Sequence, residues 1–420
     1  MDTRFVKHKV KHTEERYVEM AREVIFALFM GVVLGALGGV FYLAIAEATR
    51  LREEYSWLVF FLPVTAVLIL LFYHVLHDDK DKGTNIVLLS IQSDKDVPLR
   101  MSGLIFISTV MSHLVGASVG REGAALQIGG AVGNFIGRFF SMSASTKKTL
   151  TMVGMSAMFS ALFGTPMAAA FFSLEVVSVG IMHYGALLPC VLSSFVARAV
   201  ASYIGVPAPF YDIGRIPQFE GMGMIRVAGL TALCGLISII FCMALRYGET
   251  YASKLFSNKY IRAAVIGTLV LILTLLVGDQ TYNGAGADYI NACVAGNARP
   301  FGFILKIVFT VLSIVAGYKG GEIVPSFFIG ASFGCLYGNM LGWEPDLCAA
   351  IGMGAVFCGV TNCPVTSLLI CGELFGFEGG WFYLLGIAVS YMFSGYYGLY
   401  TSQKIVYSKF KSNFIDKKVQ

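Results

Sequence analysis

Charged residues are scarce in this chain of 420 residues: Asp, Glu, Lys and Arg make up only 14% of it, whereas 56% is hydrophobic. A soluble globular domain has about 25% charged residues, so the composition excludes an ordinary soluble fold and predicts a polytopic membrane protein in a lipid bilayer. The long apolar runs cover residues 24–46, 57–76, 104–119, 187–204, 227–245, 263–277, 303–316 and 382–393. Several are shorter than the roughly 20 residues of a straight spanning helix, which favours tilted, re-entrant and half-spanning helices.

Familiar metal and enzyme signatures are also missing. The nine cysteines include no Cys-x-x-Cys pair and no His/Cys set at ligand spacing, so we interpret them as small buried hydrophobic residues. No His-Glu-x-x-His or Gly-x-Gly-Asp pattern occurs, which disfavours an intramembrane enzyme in spite of the carboxylates in apolar surroundings. We therefore expect neither a metal nor a cofactor, and no cleavable signal peptide.

Two stretches of the chain repeat each other at an offset of about 200 residues. Residues 120–122 (Gly-Arg-Glu) are echoed by residues 320–322 (Gly-Gly-Glu), and similar glycine-containing runs follow at 128–133 and 329–334. A Phe, a Pro and a Glu also recur at identical spacing, as Phe159, Pro166 and Glu175 and again as Phe357, Pro364 and Glu373. Matching glycine-broken segments in two halves of a membrane protein indicate a transport site at the interface of the halves.

These repeats divide the chain into a first membrane repeat at 24–205 and a second at 224–400. Residues 206–223, which are polar and proline-rich, are a linker or an extracytoplasmic loop. Parallel and inverted repeats give the same sequence signal, so the residues alone leave the relation of the halves open. We expect residues 1–23 to contain a cytoplasmic helix that begins near Thr13, and residues 401–420 to form a cytoplasmic C-terminal helix or tail.

Basic residues flank both ends of the hydrophobic region, which predicts cytoplasmic termini and an even number of crossings of the cell membrane. They are Arg4, Lys7, Lys9, Lys11, Arg16 and Arg22 before the first run, and Lys404, Lys409, Lys411, Lys417 and Lys418 after the last. Acidic residues are interleaved with the first group, so a nucleic-acid-binding tail is disfavoured and no nucleic-acid partner is expected.

Polar residues interrupt the apolar segments at three places. The first is the pair Thr84 and Asn85, the second is Glu122 and the third is Glu322. A helix that begins inside the membrane presents unpaired N–H groups at its N-terminus, which is an anion site. Either glutamate could be a protonatable gate that competes with an anion, or a structural cap paired with a neighbouring cation. Thr84 and Asn85 could likewise be ordinary caps.

Two further features have mainly structural interpretations. Glu175 and Glu373 are more simply hydrogen-bonded carboxylates near helix ends than proton carriers. Tyr400, which follows the last apolar run, has the position of an interfacial belt residue unless a wider pattern gives it another role.

Together these motifs resemble the CLC family of chloride channels and proton-coupled anion antiporters over nearly the whole chain. Residues 120–123 (Gly-Arg-Glu-Gly) are similar to its Gly-x-Glu-Gly-Pro signature, with Ala124 in place of proline; residues 320–325 are similar to its Gly-x-Phe-x-Pro region, and residues 82–85 lie where it has Gly-Ser-Gly-x-Pro. Tyr400 matches its anion-site tyrosine. The resemblance implies an all-α polytopic fold with two inverted repeats, a homodimer with one pore per subunit, and Glu122 as the external gating glutamate.

Departures from the family pattern indicate one branch of it. Thr84 replaces the chloride-coordinating serine, Glu322 enters the second signature where chloride-handling members carry an apolar residue, and the internal proton glutamate would fall at Val176. This combination is similar to the fluoride/proton antiporters of the family. The resemblance thus implies fluoride and protons as substrates, proton transfer by Glu122 and Glu322, and an anion site at Thr84, Asn85, Ile323, Val324 and Tyr400. The alternative is a chloride/proton antiporter or chloride channel.

Overall fold

The structure is a computed structural model that describes residues 3–78, 83–93, 95–214, 216–411 and 413–420, with side chains from residue 17 onward. The side chains of the N-terminal basic flank up to Arg16, and residues 79–82, lie outside this description. The described chain forms 16 α-helices: α1 (Thr3–Glu54), α2 (Leu62–Val75), α3 (Thr84–Gln92), α4 (Arg100–Val115), α5 (Glu122–Phe139), α6 (Ala144–Phe163), α7 (Pro166–Glu175), α8 (Leu187–Ile204), α9 (Gly221–Leu255), α10 (Lys259–Val277), α11 (Ala287–Val294), α12 (Gly302–Ala316), α13 (Ile323–Leu341), α14 (Pro345–Thr361), α15 (Pro364–Phe375) and α16 (Gly380–Phe393).

The helices have the mixture of lengths that the apolar runs predict. Six helical segments are long and apolar enough to cross a membrane, and four more apolar helices have only 10–17 residues. The prediction of an all-α polytopic membrane protein with short and half-spanning helices is confirmed. The described residues between Ile204 and Gly221 contain neither helix nor strand.

Helix α1 begins earlier than the sequence indicates. It runs without a break from Thr3, so the predicted helix start near Thr13 is wrong. No proline or glycine lies between Thr3 and Gly31, and these are the residues that most readily end a helix. With 52 residues and a rise of about 1.5 Å per residue, α1 is about 78 Å long, which exceeds the roughly 30 Å of the hydrocarbon layer.

The repeated glycines place equivalent helix pairs in close contact. A Cβ atom on Gly129 of α5 would lie 2.1 Å from the Gly154 carbonyl oxygen of α6, and one on Gly330 of α13 would lie 2.3 Å from that of Gly352 of α14. Small residues let membrane helices approach backbone to backbone. The similar glycine-containing runs at residues 128–133 and 329–334 therefore mediate the same helix packing in both halves.

The repeated Phe, Pro and Glu residues join the two halves. Glu175 at the end of α7 accepts hydrogen bonds from the backbone nitrogens of Val365 (3.1 Å) and Thr366 (2.9 Å) at the start of α15. Reciprocally, Glu373 of α15 accepts bonds of 2.9 Å from Met167 and from Ala168 at the start of α7. Each carboxylate thus satisfies the N-terminal N–H groups of the other repeat's helix, which supports their interpretation as structural residues.

Aromatic rings fill the space between these helices. The ring of Phe172 lies 5.1 Å from that of Phe159 and 6.1 Å from that of Phe357, and the ring of Phe357 lies 5.2 Å from that of Phe327. The repeated phenylalanines, Phe159 and Phe357, therefore belong to one aromatic cluster that spans both halves.

The C-terminal segment differs from the sequence prediction. Instead of a helix it forms two strands, β2 (Lys404–Tyr407) and β3 (Phe414–Lys418), which pair antiparallel, and β2 pairs parallel with β1 (Ser178–Val179). Ile405 of β2 packs against Val179 and Val419 in a small separate core. Of the two alternatives predicted for this segment, a helix or a tail, the helix is wrong because the start of β2 pairs with a strand about 225 residues earlier in the chain, a contact that local sequence does not report.

Candidate functional site

The N-termini of α3, α5 and α13 converge at the interface of the two repeats. The Thr84 hydroxyl at the start of α3 lies 3.4 Å from the Gly123 carbonyl oxygen of α5. A reciprocal pair of backbone hydrogen bonds joins the segments before α5 and α13: Gly120 donates to Gly321 at 2.6 Å, and Gly321 donates to Gly120 at 2.9 Å. The helix N-termini that the sequence predicts inside the membrane region therefore lie close together.

The carboxylate of Glu122 occupies the N-terminal end of the equivalent helix in the other repeat. Its Oε1 atom accepts a hydrogen bond of 2.7 Å from the backbone nitrogen of Val324, and its Oε2 atom accepts one of 2.7 Å from the backbone nitrogen of Arg121. The side chain is fully buried. These oxygens therefore stand where an anion would bind at the start of α13, because helix N-termini present unpaired N–H groups and a partial positive charge.

Two glycines leave the space for this carboxylate. A Cβ atom on Gly120 would lie 2.2 Å from Oε1 of Glu122, and one on Gly321 would lie 2.7 Å from the same oxygen. Any larger residue at either position would require the carboxylate to move. The glycines of the two signatures thus leave the room that the carboxylate oxygen occupies.

The interpretation of Glu122 as a cap that pairs with the Arg121 side chain does not match the geometry. The Arg121 guanidinium lies 4.5 Å from the ring centroid of Tyr42, and Arg121 reaches Glu122 through its backbone nitrogen. The carboxylate is therefore held by N–H groups, which can bind an anion equally well once the side chain leaves.

Glu322 is the residue immediately before α13, and its carboxyl group does not cap its own helix. The residue is partly buried. It lies close enough to Glu122 and to Lys319 for their charges to interact with it. The two repeat-related glutamates thus lie near the same helix start, one bonded to it and one beside it.

Asn85 binds the C-terminal segment. Its side-chain oxygen accepts hydrogen bonds from the backbone nitrogen of Ser402 at 2.9 Å and from the hydroxyl of Thr401 at 3.3 Å. Gln92, on the same helix, donates to the carbonyl oxygens of Ser402 and Val177 at 2.8 and 2.9 Å. Helix α3 therefore positions the residues that follow Tyr400, and this is the observed role of the Asn85 oxygen.

The hydroxyl of Tyr400 is buried and has no hydrogen-bond partner among the described residues. Gln403, which is fully buried, fixes the adjacent chain by donating to the carbonyl oxygens of Val176 and Thr361, both at 2.9 Å. A buried hydroxyl without a partner costs free energy, and a ligand that accepts its hydrogen bond would remove that cost. Sequence reasoning did not find Gln92 and Gln403, since their partners lie far away in the chain.

Val176 follows Glu175 as a fully buried apolar residue. Its backbone nitrogen donates to the Phe172 carbonyl oxygen at 2.9 Å, and its carbonyl oxygen accepts a bond of 2.9 Å from Gln403. A proton carrier is therefore absent at this position, and the neighbouring Glu175 is engaged as a cap of α15.

A pattern typical of some hydrolases, Gly-x-Ser-x-Gly, occurs at residues 116–120 and 330–334. The Ser118 hydroxyl bonds the Thr310 hydroxyl at 3.0 Å, and the buried Ser332 hydroxyl has no hydrogen-bond partner among the described residues. Neither serine is bonded to a histidine or carboxylate base, as a nucleophile would require. Groups of three or more potential metal ligands are not found in the described chain.

Known proteins share this architecture. A family profile described as "Voltage gated chloride channel" matches residues 64–395. A chloride/fluoride channel protein of Pseudomonas syringae pv. tomato is 34% identical over 397 residues, which cover 93% of this chain and 88% of that protein. The H+/Cl− exchange transporter ClcA of Vibrio cholerae is 24% identical over 84% of this chain and 81% of its own length.

Solved structures agree with this result. The crystal structure of a CLC-type fluoride/proton antiporter superposes with a TM-score of 0.89 at 30% identity, over 92% of this chain and 98% of that one. A slow cyanobacterial Cl−/H+ antiporter shares the fold at 16% identity, with a TM-score of 0.77. This multi-pass membrane protein therefore belongs to the CLC family of channels and transporters, with its two inverted repeats.

Proposed function

We propose that this protein exports fluoride from the cell in exchange for protons. The observation that carries the proposal is the position of the Glu122 carboxylate on the backbone nitrogen of Val324. A carboxylate that occupies an anion position can leave it when protonated, because a neutral acid accepts hydrogen bonds less strongly than a carboxylate. The anion then takes its place, so that proton and anion alternate at one site.

The anion site would comprise the N–H groups of Ile323 and Val324, the hydroxyls of Thr84 and Tyr400, and the amide of Asn85. Fluoride is a small, strongly hydrated ion and a strong hydrogen-bond acceptor, so its pathway must supply donors as water is removed. The unpartnered Tyr400 hydroxyl is such a donor. Asn85 would act through its NH2 group, since its oxygen is already bonded to residues 401 and 402.

Proton transfer would involve Glu322 as well as Glu122. Glu322 lies beside the start of α13, whereas Glu175 caps α15 and Val176 carries no proton. An ionisable group inside a membrane protein is costly and marks an ion pathway. Glu322 thus takes the place of the missing inner proton carrier.

The resemblance to a CLC-type fluoride/proton antiporter and to a chloride/fluoride channel protein supports fluoride as the anion. The second candidate, a chloride/proton antiporter or chloride channel, is supported by the more distant ClcA relatives.

We further propose a homodimer in the cell membrane with both termini cytoplasmic. Export of an anion against import of a proton moves two charges in one electrical sense, each equivalent to about 2.3 kcal/mol per 100 mV.

Anion efflux from liposomes tests the proposal. Purified protein is reconstituted with trapped potassium fluoride or potassium chloride, and release is followed with ion-selective electrodes. We expect fluoride to leave much faster than chloride and to drive proton uptake. Comparable rates for both anions would favour the chloride-handling alternative.

A further inference from the structure

The loop between strands β2 and β3 carries a buried lysine, Lys409, which is only 9% exposed. Its Nζ atom donates hydrogen bonds to the side-chain oxygen of Asn362, to the hydroxyl oxygen of Ser394 (3.1 Å) and to the carbonyl oxygen of Tyr391 (3.1 Å). It also lies 4.2 Å from the centroid of the Tyr391 ring. A buried ammonium group is costly unless its N–H groups find acceptors. The C-terminal ends of α14 and α16 therefore form a site built for this side chain.

Asn362 connects Lys409 to the chain around Tyr400. It follows α14 in the left-handed region, at φ 59°, which asparagine adopts more readily than most residues. Its Nδ2 atom donates to the Tyr397 carbonyl oxygen at 3.0 Å and to the side-chain oxygen of Gln403 at 3.1 Å. Because an ammonium group can only donate, Lys409 requires the amide oxygen of Asn362 on its own side, and the NH2 group therefore faces the other two acceptors.

Gln403 is the next member of this arrangement. Since its oxygen accepts from Asn362, its Nε2 atom is the donor to the two carbonyl oxygens described above, one in each repeat. Its backbone nitrogen donates to the Tyr400 carbonyl oxygen at 3.0 Å. Lys409, Asn362 and Gln403 thus form a continuous polar network, which we call the lysine network. Each member fixes the orientation of the next, and the last one bonds the backbone of Tyr400.

The backbone before Tyr400 lies tightly against the end of α14. A Cβ atom on Gly398 would lie 2.7 Å from Nδ2 of Asn362. The backbone nitrogen of Leu399 donates to the Val360 carbonyl oxygen at 2.9 Å. The position of the Tyr400 side chain therefore depends on how the amide of Asn362 is held, because that amide both packs against and bonds the chain that carries the tyrosine.

We propose that Lys409 is a positioning residue of the anion pathway, which acts through Asn362 and Gln403 to hold the Tyr400 hydroxyl where it donates to the transported anion. This role rests on the proposed anion site at Tyr400. Without the ammonium group, the Asn362 amide loses the partner that fixes its orientation, and the bonds it donates lose their direction. A hydrogen bond depends steeply on distance and angle, so a shifted hydroxyl binds the anion more weakly. The C-terminal hairpin is thus part of the transport machinery.

The first test is anion release from liposomes by Lys409→Met, which keeps the length of the side chain and removes its donors. We expect the KM for the transported anion to rise about tenfold with kcat unchanged, because one donor to the ion is misplaced. Lys418→Met is the matched control, since it removes the same charge from an exposed position in β3 of the same hairpin and should change neither constant. Equal KM values for the two variants would overturn the proposal.

A double-mutant cycle with Tyr400→Phe distinguishes this role from a general effect on the fold. In the Tyr400→Phe background there is no hydroxyl to misplace, so Lys409→Met should change KM by less than about twofold. The effects of the two substitutions on KM are then strongly non-additive. A rise of the same size in both backgrounds would show that Lys409 acts elsewhere and would contradict the proposal.

Asn362→Asp tests the network even where Lys409→Met does not fold. Aspartate keeps an oxygen for Lys409 and tolerates the left-handed backbone, but it has no N–H group for Tyr397 or Gln403. It should raise KM as Lys409→Met does, although the hairpin stays bound to α14 through the lysine. A wild-type KM in Asn362→Asp would show that the amide does not transmit the position of Lys409 to Tyr400.

Hydrogen exchange of the full-length protein gives a readout that needs no transport. Lys409→Met should speed exchange of the bonded backbone amides of Leu399 and Gln403, and Lys418→Met should leave both unchanged. Unchanged exchange in Lys409→Met would also overturn the proposal. The kinetic assays use whichever anion, fluoride or chloride, the wild-type protein releases faster. An error in the proposed anion is therefore distinguished from an error in the role of Lys409.

Discussion

Oε1 of Glu122 in the first repeat lies 2.7 Å from the backbone nitrogen of Val324 in the second, so a carboxylate of one half occupies a helix N-terminus of the other. The bond crosses the interface close to the reciprocal backbone pair of Gly120 and Gly321. The carboxylate is thus held by groups that would equally hold an anion. Protonation of one side chain can therefore decide whether the position is open.

Glu122→Gln should abolish fluoride-driven proton movement. The neutral amide cannot take up a proton, and its NH2 group cannot accept a hydrogen bond from the backbone nitrogens that the carboxylate satisfies. The measurement is proton uptake into liposomes loaded with fluoride, with elution volume in gel filtration as the control for folding. Proton uptake at the wild-type rate would remove Glu122 from the mechanism.

Gly120→Ala should weaken coupling without touching an ionisable group. The new methyl group would lie 2.2 Å from Oε1 of Glu122, so the carboxylate must leave the Val324 nitrogen. A hydrogen bond to a charged group contributes about 1.5–3 kcal/mol, so we expect at least about tenfold less proton movement per fluoride released. Gly103→Ala is the matched control, since a Cβ atom there meets no atom within 4 Å. Equal coupling in both variants would show that Glu122 does not need its present position.

Glu322→Gln should fold and dimerise but lose coupled exchange. The residue lies beside the start of α13 and makes no side-chain capping hydrogen bond, so the substitution removes a titratable group without removing a helix cap. Fluoride release and proton uptake are measured together in liposomes. A mutant that still drives protons against their gradient with fluoride would return Glu322 to a structural role.

Glu175→Gln should give the opposite result: coupled exchange persists while stability falls. The carboxylate accepts bonds from the backbone nitrogens of Val365 and Thr366 and from the Thr366 hydroxyl, and an amide can replace only one of its oxygens. We expect a loss of about 1–3 kcal/mol in the free energy of unfolding, seen as a lower Tm in detergent. A folded Glu175→Gln protein without exchange would contradict the assignment of proton transfer to Glu322.

Tyr400→Phe should weaken fluoride binding at almost no cost in stability, because the hydroxyl has no hydrogen-bond partner among the described residues. Loss of one donor to an ion corresponds to about 1.5–3 kcal/mol, or a KM for fluoride that is higher by about tenfold to about a hundredfold. Tyr383→Phe is the matched control, since its hydroxyl is also buried and unpartnered but lies on α16. Equal KM values for both variants would exclude Tyr400 from the anion site.

Local sequence determined much of the fold. Apolar runs predicted the membrane helices, and glycine and proline predicted where they begin, because these residues act on the backbone at their own position. Thus α5 begins at Glu122, and α7 and α15 begin at the repeated prolines. The internal repeat and the motif resemblance indicated the family, and with it the candidate residues.

Only the tertiary structure decided which groups meet. The bond from Val324 to Glu122, the exchanged caps of Glu175 and Glu373, and the Asn85 contact with the C-terminal segment all join residues roughly 200 or more positions apart. The strands that replaced the predicted C-terminal helix depend on a partner equally distant in the chain.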